Sequence, residues 1–186
     1  TDAAWEPGSW AHPVCCPIAF TGMGGVAFVD NDVVCVAGEP HRDVVESLAH
    51  RETQIIPLEF LALAGTIITL RDRLKGRHII AFCDNQSVCA CFCRGASRSS
   101  DIQLFSTGTH ALLMHYGIAL WLEWVPSALN LADPPSRGVA CALVPAPEPL
   151  FLPAWADRRQ AKALLSVLSE HLHQRPLPTA PVRQAA

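Results

Sequence analysis

Apolar positions along the chain fall into short runs of two different periods, broken by glycine, proline and clustered acidic residues. Gly25 to Val29 and Val33 to Val36 are β-rich, and Asp30-Asn31-Asp32 between them supplies turn chemistry, which predicts a hairpin. Residues 1–20 read as irregular, because Pro7, Gly8, Pro13 and Pro17 break any period. Glu39 to Gln54 is polar and suits either a strand or a short helix. Pro57 stands where a helix starts, and Leu58–Leu74 follows with strong helix formers and Gly76 as a stop signal. His78–Cys83 is a short apolar run ending at Asp84-Asn85, the pattern of a strand buried on both faces. Gln86–Cys93 predicts a helix closed by Gly95, Ser100–Tyr116 a second closed by Gly117, and Ile118–Val125 a strand. On that strand Trp121 and Trp124 point to opposite faces, with Trp121 expected in the core and Trp124 near a crevice or under a helix.

Composition changes the picture after Arg137. Nine of the fifteen prolines lie from Pro134 onward, which marks residues 139–153 as an extended linker. Trp155–Leu172 then carries Trp155, Leu164, Leu165, Leu168 and Leu172 on one face, an amphipathic helix within residues 154–174. Residues 175–186 read as a disordered tail. The element order implies an α/β or α+β layer fold with a mixed sheet.

Half of the 186 residues are apolar and 17% are charged, which excludes general disorder. The net charge of −3 excludes a strongly basic nucleic-acid coat. A nucleic-acid partner must then be held by local charge or by metal ions. The longest nearly uncharged apolar run, Leu58 to Leu70, falls short of the ~20 residues a spanning helix needs, so no membrane partner is expected. The eight cysteines include no Cys-x-x-Cys pair, and Cys89, Cys91 and Cys93 make a poor ligand set. Free thiols in a reducing, intracellular compartment, cytoplasm or nucleus, are the reading.

The candidate chemistry lies in four acids at the ends of elements. Asp84 closes an apolar strand, where ligands bind in α/β folds, but it could equally cap the helix from Gln86. Glu59 sits in the first turn of an otherwise apolar helix, either as a dipole partner or as a buried acid with a cation. Asp133 is either functional or a pre-proline turn residue, and Asp2 alone carries no reading. Asp30 and Asp32 suit a plain hairpin turn better than a metal site.

Taken in order, Thr1-Asp2-Ala3, Pro57-Leu58-Glu59, Phe82-Cys83-Asp84-Asn85 and Val125-Pro126-Ser127 with Asn130-Leu131-Ala132-Asp133-Pro134-Pro135-Ser136-Arg137 form a pattern. It resembles the ribonuclease H domain of retroelement reverse transcriptases, particularly the DIRS-like types, over residues 1–138. The resemblance implies a mixed five-stranded sheet flanked by helices, with the first strand truncated at the chain start and a C-terminal helix added. The opening strand would precede Thr1, and the chain reads as a segment of something longer. The resemblance further implies that Asp2, Glu59, Asp84 and Asp133 form a catalytic, metal-binding tetrad for two Mg²⁺, with Mn²⁺ as a substitute. The implied activity is endonucleolytic hydrolysis of the RNA strand of RNA–DNA hybrids. The implied partners are the hybrid and the upstream reverse transcriptase domains of the same polyprotein. Asp2 and Asp84 would approach both ions, with Glu59 on the leaving-group side and Asp133 on the nucleophile side. Asn85, Arg94 and Arg98 are the candidate nucleic-acid contacts. Ser127-Ala128-Leu129 holds no histidine and basic clusters are modest, which favours the alternative of a non-catalytic connection or scaffold module, or a decayed copy. A related nuclease with another substrate is the third reading.

Overall fold

The computed structural model describes residues 1–5, 21–49, 54–140 and 142–156. Strands β1 (Asp2–Trp5), β2 (Thr21–Val29) and β3 (Asp32–Gly38) form an antiparallel ladder in which Asp2 faces Gly24 and Val29 faces Asp32. The predicted hairpin turn is Asp30-Asn31, with φ of 53° and 68°. Two left-handed residues give the mirror-image turn whose twist matches the strands, and Asp and Asn tolerate that region better than other side chains.

The ambiguous segment after the hairpin contains helix α1 (Arg42–Ser47). Helix α2 (Ile55–Thr69) is buried all round from Pro57 to Ile67, as its lack of a polar face requires. It lies against β2 because Gly25 has no side chain; a Cβ there would overlap the Thr66 hydroxyl. The single helix predicted to Leu74 is broken at Leu70, and Arg71–Leu74 forms a separate turn, α3. In and after this turn, Arg73 pairs with Asp32 at 2.8 Å and Arg77 grips both oxygens of Asp30 at 2.8 and 2.9 Å. These exposed pairs add little stability, but they account for the two hairpin acids without a metal.

Strand β4 (His78–Cys83), helices α4 (Gln86–Arg94) and α5 (Ser100–Tyr116), and strand β5 (Ala119–Trp124) follow within a residue or so of the predicted bounds. β4 and β5 pair in parallel, His78 opposite Ala119 and Cys83 opposite Trp124. Helix α6 (Asp133–Ser136) comes next, and β6 (Glu148–Pro149) adds in parallel to β3. The result is a mixed α/β fold with a four-stranded sheet ordered β1-β2-β3-β6 and a separate pair β4-β5. The five strands expected in one sheet are thus divided between two.

Three further expectations change. β4 is not buried on both faces: Ile79 and Ala81 pack toward the core, while Ile80 and Phe82 are exposed. Trp121, opposite Ile80, lies on that open face and is 67% exposed rather than in the core. Residues 145–153, within the expected linker, are not detached. Leu150 N–H donates to the Ala37 carbonyl, Phe151 N–H to Thr69 Oγ1, and Trp155 stacks obliquely on Phe105. Ala154–Ala156 form a 3₁₀ turn; the rest of the predicted Trp155–Leu172 helix, and the tail, lie outside the described residues. No helix among the described residues is long and apolar enough to cross a membrane.

Candidate metal centre

Four elements from distant parts of the chain deliver one carboxylate each. Asp2 enters on β1 and is only 3% exposed; its Oδ2 accepts a 2.6 Å hydrogen bond from Ser136 Oγ of α6. Asn130 Nδ2 donates to the Thr1 carbonyl at 3.0 Å, so the segment before α6 is stitched to the same strand. Asp133, the first residue of α6, pairs with Arg137 Nε at 2.9 Å. Glu59, in the second turn of α2, is also 3% exposed and lies 3.7 Å from the Cys83 thiol.

Asp84 follows β4. The rival reading, a helix cap, is answered by its neighbour: Asn85 Oδ1 accepts from Ser87 N–H and Val88 N–H, capping α4 itself. Asp84 is thereby left for other work. Its Oδ1 is buried with no hydrogen-bond partner, while its carbonyl accepts from Trp124 Nε1 at 3.0 Å. Ligand atoms of Glu59, Cys83 and Asp84 all lie within 4.8 Å of one another.

The electrostatics describe one cluster. Burial raises Asp2 from its usual value to about 6, and the Asp84 and Asp133 charges add to this, against the Ser136 hydrogen bond. Burial, then the charges of Asp2 and Asp84, push Glu59 up to about 9. Burial, with Glu59 beside it, also raises the Cys83 thiol, which stays protonated. The Thr1 ammonium is lowered by desolvation, although the surrounding acids favour its charge. Grouped acids of this kind favour the approach of a cation, which would lower these raised values.

The structure therefore places Asp2 in electrostatic contact with Glu59, Asp84 and Asp133, and Glu59 with Asp84, while the ligand atoms that lie within 4.8 Å of one another are those of Glu59, Cys83 and Asp84 and do not include Asp2 or Asp133. Of the candidate nucleic-acid contacts, Asn85 stands beside Asp84 with its Oδ1 capping α4, and Arg94 is exposed at the other end of that helix. Arg98 is exposed in the loop beyond. Sequence reasoning missed the supporting residues Ser136 and Arg137, whose signal was their place in the Asp133-to-Arg137 run, and Cys83, adjacent to Asp84. Five cysteines among the described residues are free thiols. No protein-family model matches the chain, and no curated protein matches it.

Proposed function

We propose that this chain is a ribonuclease H-type, metal-dependent endonuclease that hydrolyses the RNA strand of RNA–DNA hybrids, as a module of a retroelement reverse transcriptase polyprotein. The observation that supports the reading is the close approach of Glu59 and Asp84, the latter with a buried oxygen that has no hydrogen-bond partner, with Asp2 in electrostatic contact with both and with Asp133. A donor set of carboxylate oxygens suits the hard cations Mg²⁺ and Mn²⁺, and the protonated Cys83 thiol does not compete for them.

Asp2, Glu59, Asp84 and Asp133 would hold the ions. When bound, two such ions neutralise the site and polarise both the phosphodiester and the attacking water. Ser136 fixes the Asp2 carboxylate by hydrogen bonding, and Arg137 fixes Asp133. The Trp124 indole holds the backbone at Asp84, so the acid at the strand end is aimed by packing rather than left on a free loop. Preference for RNA would come from contacts to 2′-hydroxyls across the wide minor groove.

A non-catalytic scaffold module is the competing reading, favoured by the absence of a histidine in Ser127-Ala128-Leu129 and by the modest basic clusters. Incubation of end-labelled RNA–DNA hybrid with the protein and Mg²⁺ or Mn²⁺ separates the two. Cleavage of the RNA strand, lost in Asp84→Asn while the circular-dichroism spectrum is kept, is the expected result. Equal cleavage by both proteins removes Asp84 from the mechanism. Absence of cleavage in protein shown calorimetrically to bind Mn²⁺ favours the scaffold.

A further inference from the structure

Cys83 stands inside the acidic cluster yet takes no part in holding the hard ions. It is the last residue of β4 and only 1% exposed, and its Sγ lies 3.7 Å from Glu59 Oε2. Ligand atoms of Glu59, Cys83 and Asp84 all lie within 4.8 Å of one another. Asp84 Oδ1 is buried and has no hydrogen-bond partner among the described residues. The sulfur also receives a donor from outside these three, the Asn85 N–H at 3.4 Å. A backbone N–H aimed at a sulfur favours its anionic form, and hydrogen bonds of that kind support sulfur that is bound to metal.

We propose that Glu59, Cys83 and Asp84 form a site for a thiophilic divalent cation, Zn²⁺, which takes these two carboxylates away from the hard ions. The donor set separates the two kinds of metal. Mg²⁺ takes oxygen ligands in octahedral geometry, whereas Zn²⁺ accepts four ligands of mixed sulfur and oxygen. Zn–S bonds of about 2.3 Å and Zn–O bonds of about 2.1 Å, meeting at the tetrahedral angle, put sulfur and oxygen about 3.6 Å apart. The 3.7 Å between Cys83 Sγ and Glu59 Oε2 matches that edge. Two of the ligands ride on regular elements, Glu59 on α2 and Cys83 on β4, so the fold itself sets the edge. Asp84 supplies the third ligand, and the fourth position stays open.

Binding exchanges one bond for another. The Cys83 S–H proton passes to solvent as the sulfur–zinc bond forms, with no change of oxidation state. An ion seated there leaves only Asp2 and Asp133 for Mg²⁺ or Mn²⁺. That antagonism rests on the reading of Glu59 and Asp84 as holders of the hard ions; the sulfur–zinc bond does not.

Co²⁺ accepts the same ligands and absorbs light through its bond to sulfur, so it reports on the site directly. The full chain, stripped with chelator and titrated with Co²⁺, should develop a sulfur-to-cobalt charge-transfer band in the near ultraviolet. Cys83→Ala should abolish the band. Cys89→Ala should keep it, because Cys89 Sγ is turned to the Cys83 carbonyl, 3.9 Å away. Chain preloaded with Mn²⁺ should release that ion to Zn²⁺, read as free Mn²⁺ by electron paramagnetic resonance. Cys83→Ala should need at least about tenfold more Zn²⁺ for the same release. Cys83→Ser, close in size to cysteine, repeats both comparisons should alanine unfold the chain. Absence of the band in the unaltered chain overturns the proposal. So does a band that survives in Cys83→Ala, which assigns the bond to thiols elsewhere in the chain. Mn²⁺ that stays bound while the band is present overturns it equally, by placing the two metals apart. RNA cleavage in Mn²⁺ alone tests the nuclease reading separately: cleavage absent with the band present removes that reading and leaves the sulfur site standing.

Discussion

Ser136 Oγ donates a 2.6 Å hydrogen bond to Asp2 Oδ2, joining residues 134 positions apart. The bond is possible because β2 lets α6 come close: a Cβ on Gly24, opposite Asp2, would stand 2.8 Å from Ser136 N and 3.1 Å from the Ala132 carbonyl. One glycine and one hydroxyl thus set the distance between the first acid of the cluster and the last.

Ser136→Ala should leave a buried carboxylate short of its donor, at a cost of about 1–3 kcal/mol. The hydrogen bond holds Asp2 down, so its loss should raise the Asp2 titration above its value of about 6. Urea denaturation measures the first effect, and carboxyl carbon NMR titration the second. An unchanged Asp2 titration would show that the hydroxyl serves α6 alone.

Gly24→Ala should be destabilising by about 1–3 kcal/mol, because the atoms in its way are backbone and cannot rotate aside. It should also weaken Mn²⁺ binding by displacing Asp133 from Asp2. Gly38→Ala is the control, since a Cβ there meets Leu150 at an ordinary 3.5 Å. Calorimetric titration of both variants should find affinity lowered only in the first.

The raised acids make metal-free stability fall with pH. Asp2 and Glu59 keep protons in the folded chain, up to about 6 and about 9, that the unfolded chain releases near 4. Their contribution is complete below about pH 4 and lost as pH rises through those folded values, on the order of a few kcal/mol in all. Glu59→Gln should flatten the decline between pH 6 and 9. Thermal melts in chelator across pH 4–9 read this directly.

Cation binding must displace the same protons. Mn²⁺ affinity should therefore rise between pH 6 and 9, with proton release visible as a buffer-dependent heat. A pH-independent affinity would mean that Glu59 is not a ligand. Glu59→Gln should abolish the upper part of the dependence.

Trp155 packs over Gly108, where a Cβ would lie 2.7 Å from the indole, and its ring centroid is 6.0 Å from that of Phe105. Trp155→Ala should cost about 3 kcal/mol. Gly108→Ala should destabilise through the same contact. Unchanged urea midpoints in both would mean that residues 148–156 are a detached linker.

The hairpin, β4 and α5 were readable because each is specified within a few residues: two residues that accept positive φ, a short apolar run, a helix stopped by Gly117. The four candidate acids were named from the order of motifs. Which of Asp84 and Asn85 caps α4 was not readable, since both are good caps and only backbone geometry selects Asn85. Nor was the exposure of Trp121. Alternation along a strand says which residues share a face but not which face a helix will cover.

By itself, then, the order of residues determined the local periods, the turn chemistry and the set of candidate acids, because these depend on near neighbours along the chain. The tertiary structure decided that Glu59 is buried beside Asp2, that Leu150, Phe151 and Trp155 tie the segment after β6 to the core, and that a gap separates β2 from β4. Those outcomes turn on contacts between residues far apart in sequence, such as Thr1 with Phe82 and Asp2 with Ser136, whose energies no local pattern encodes.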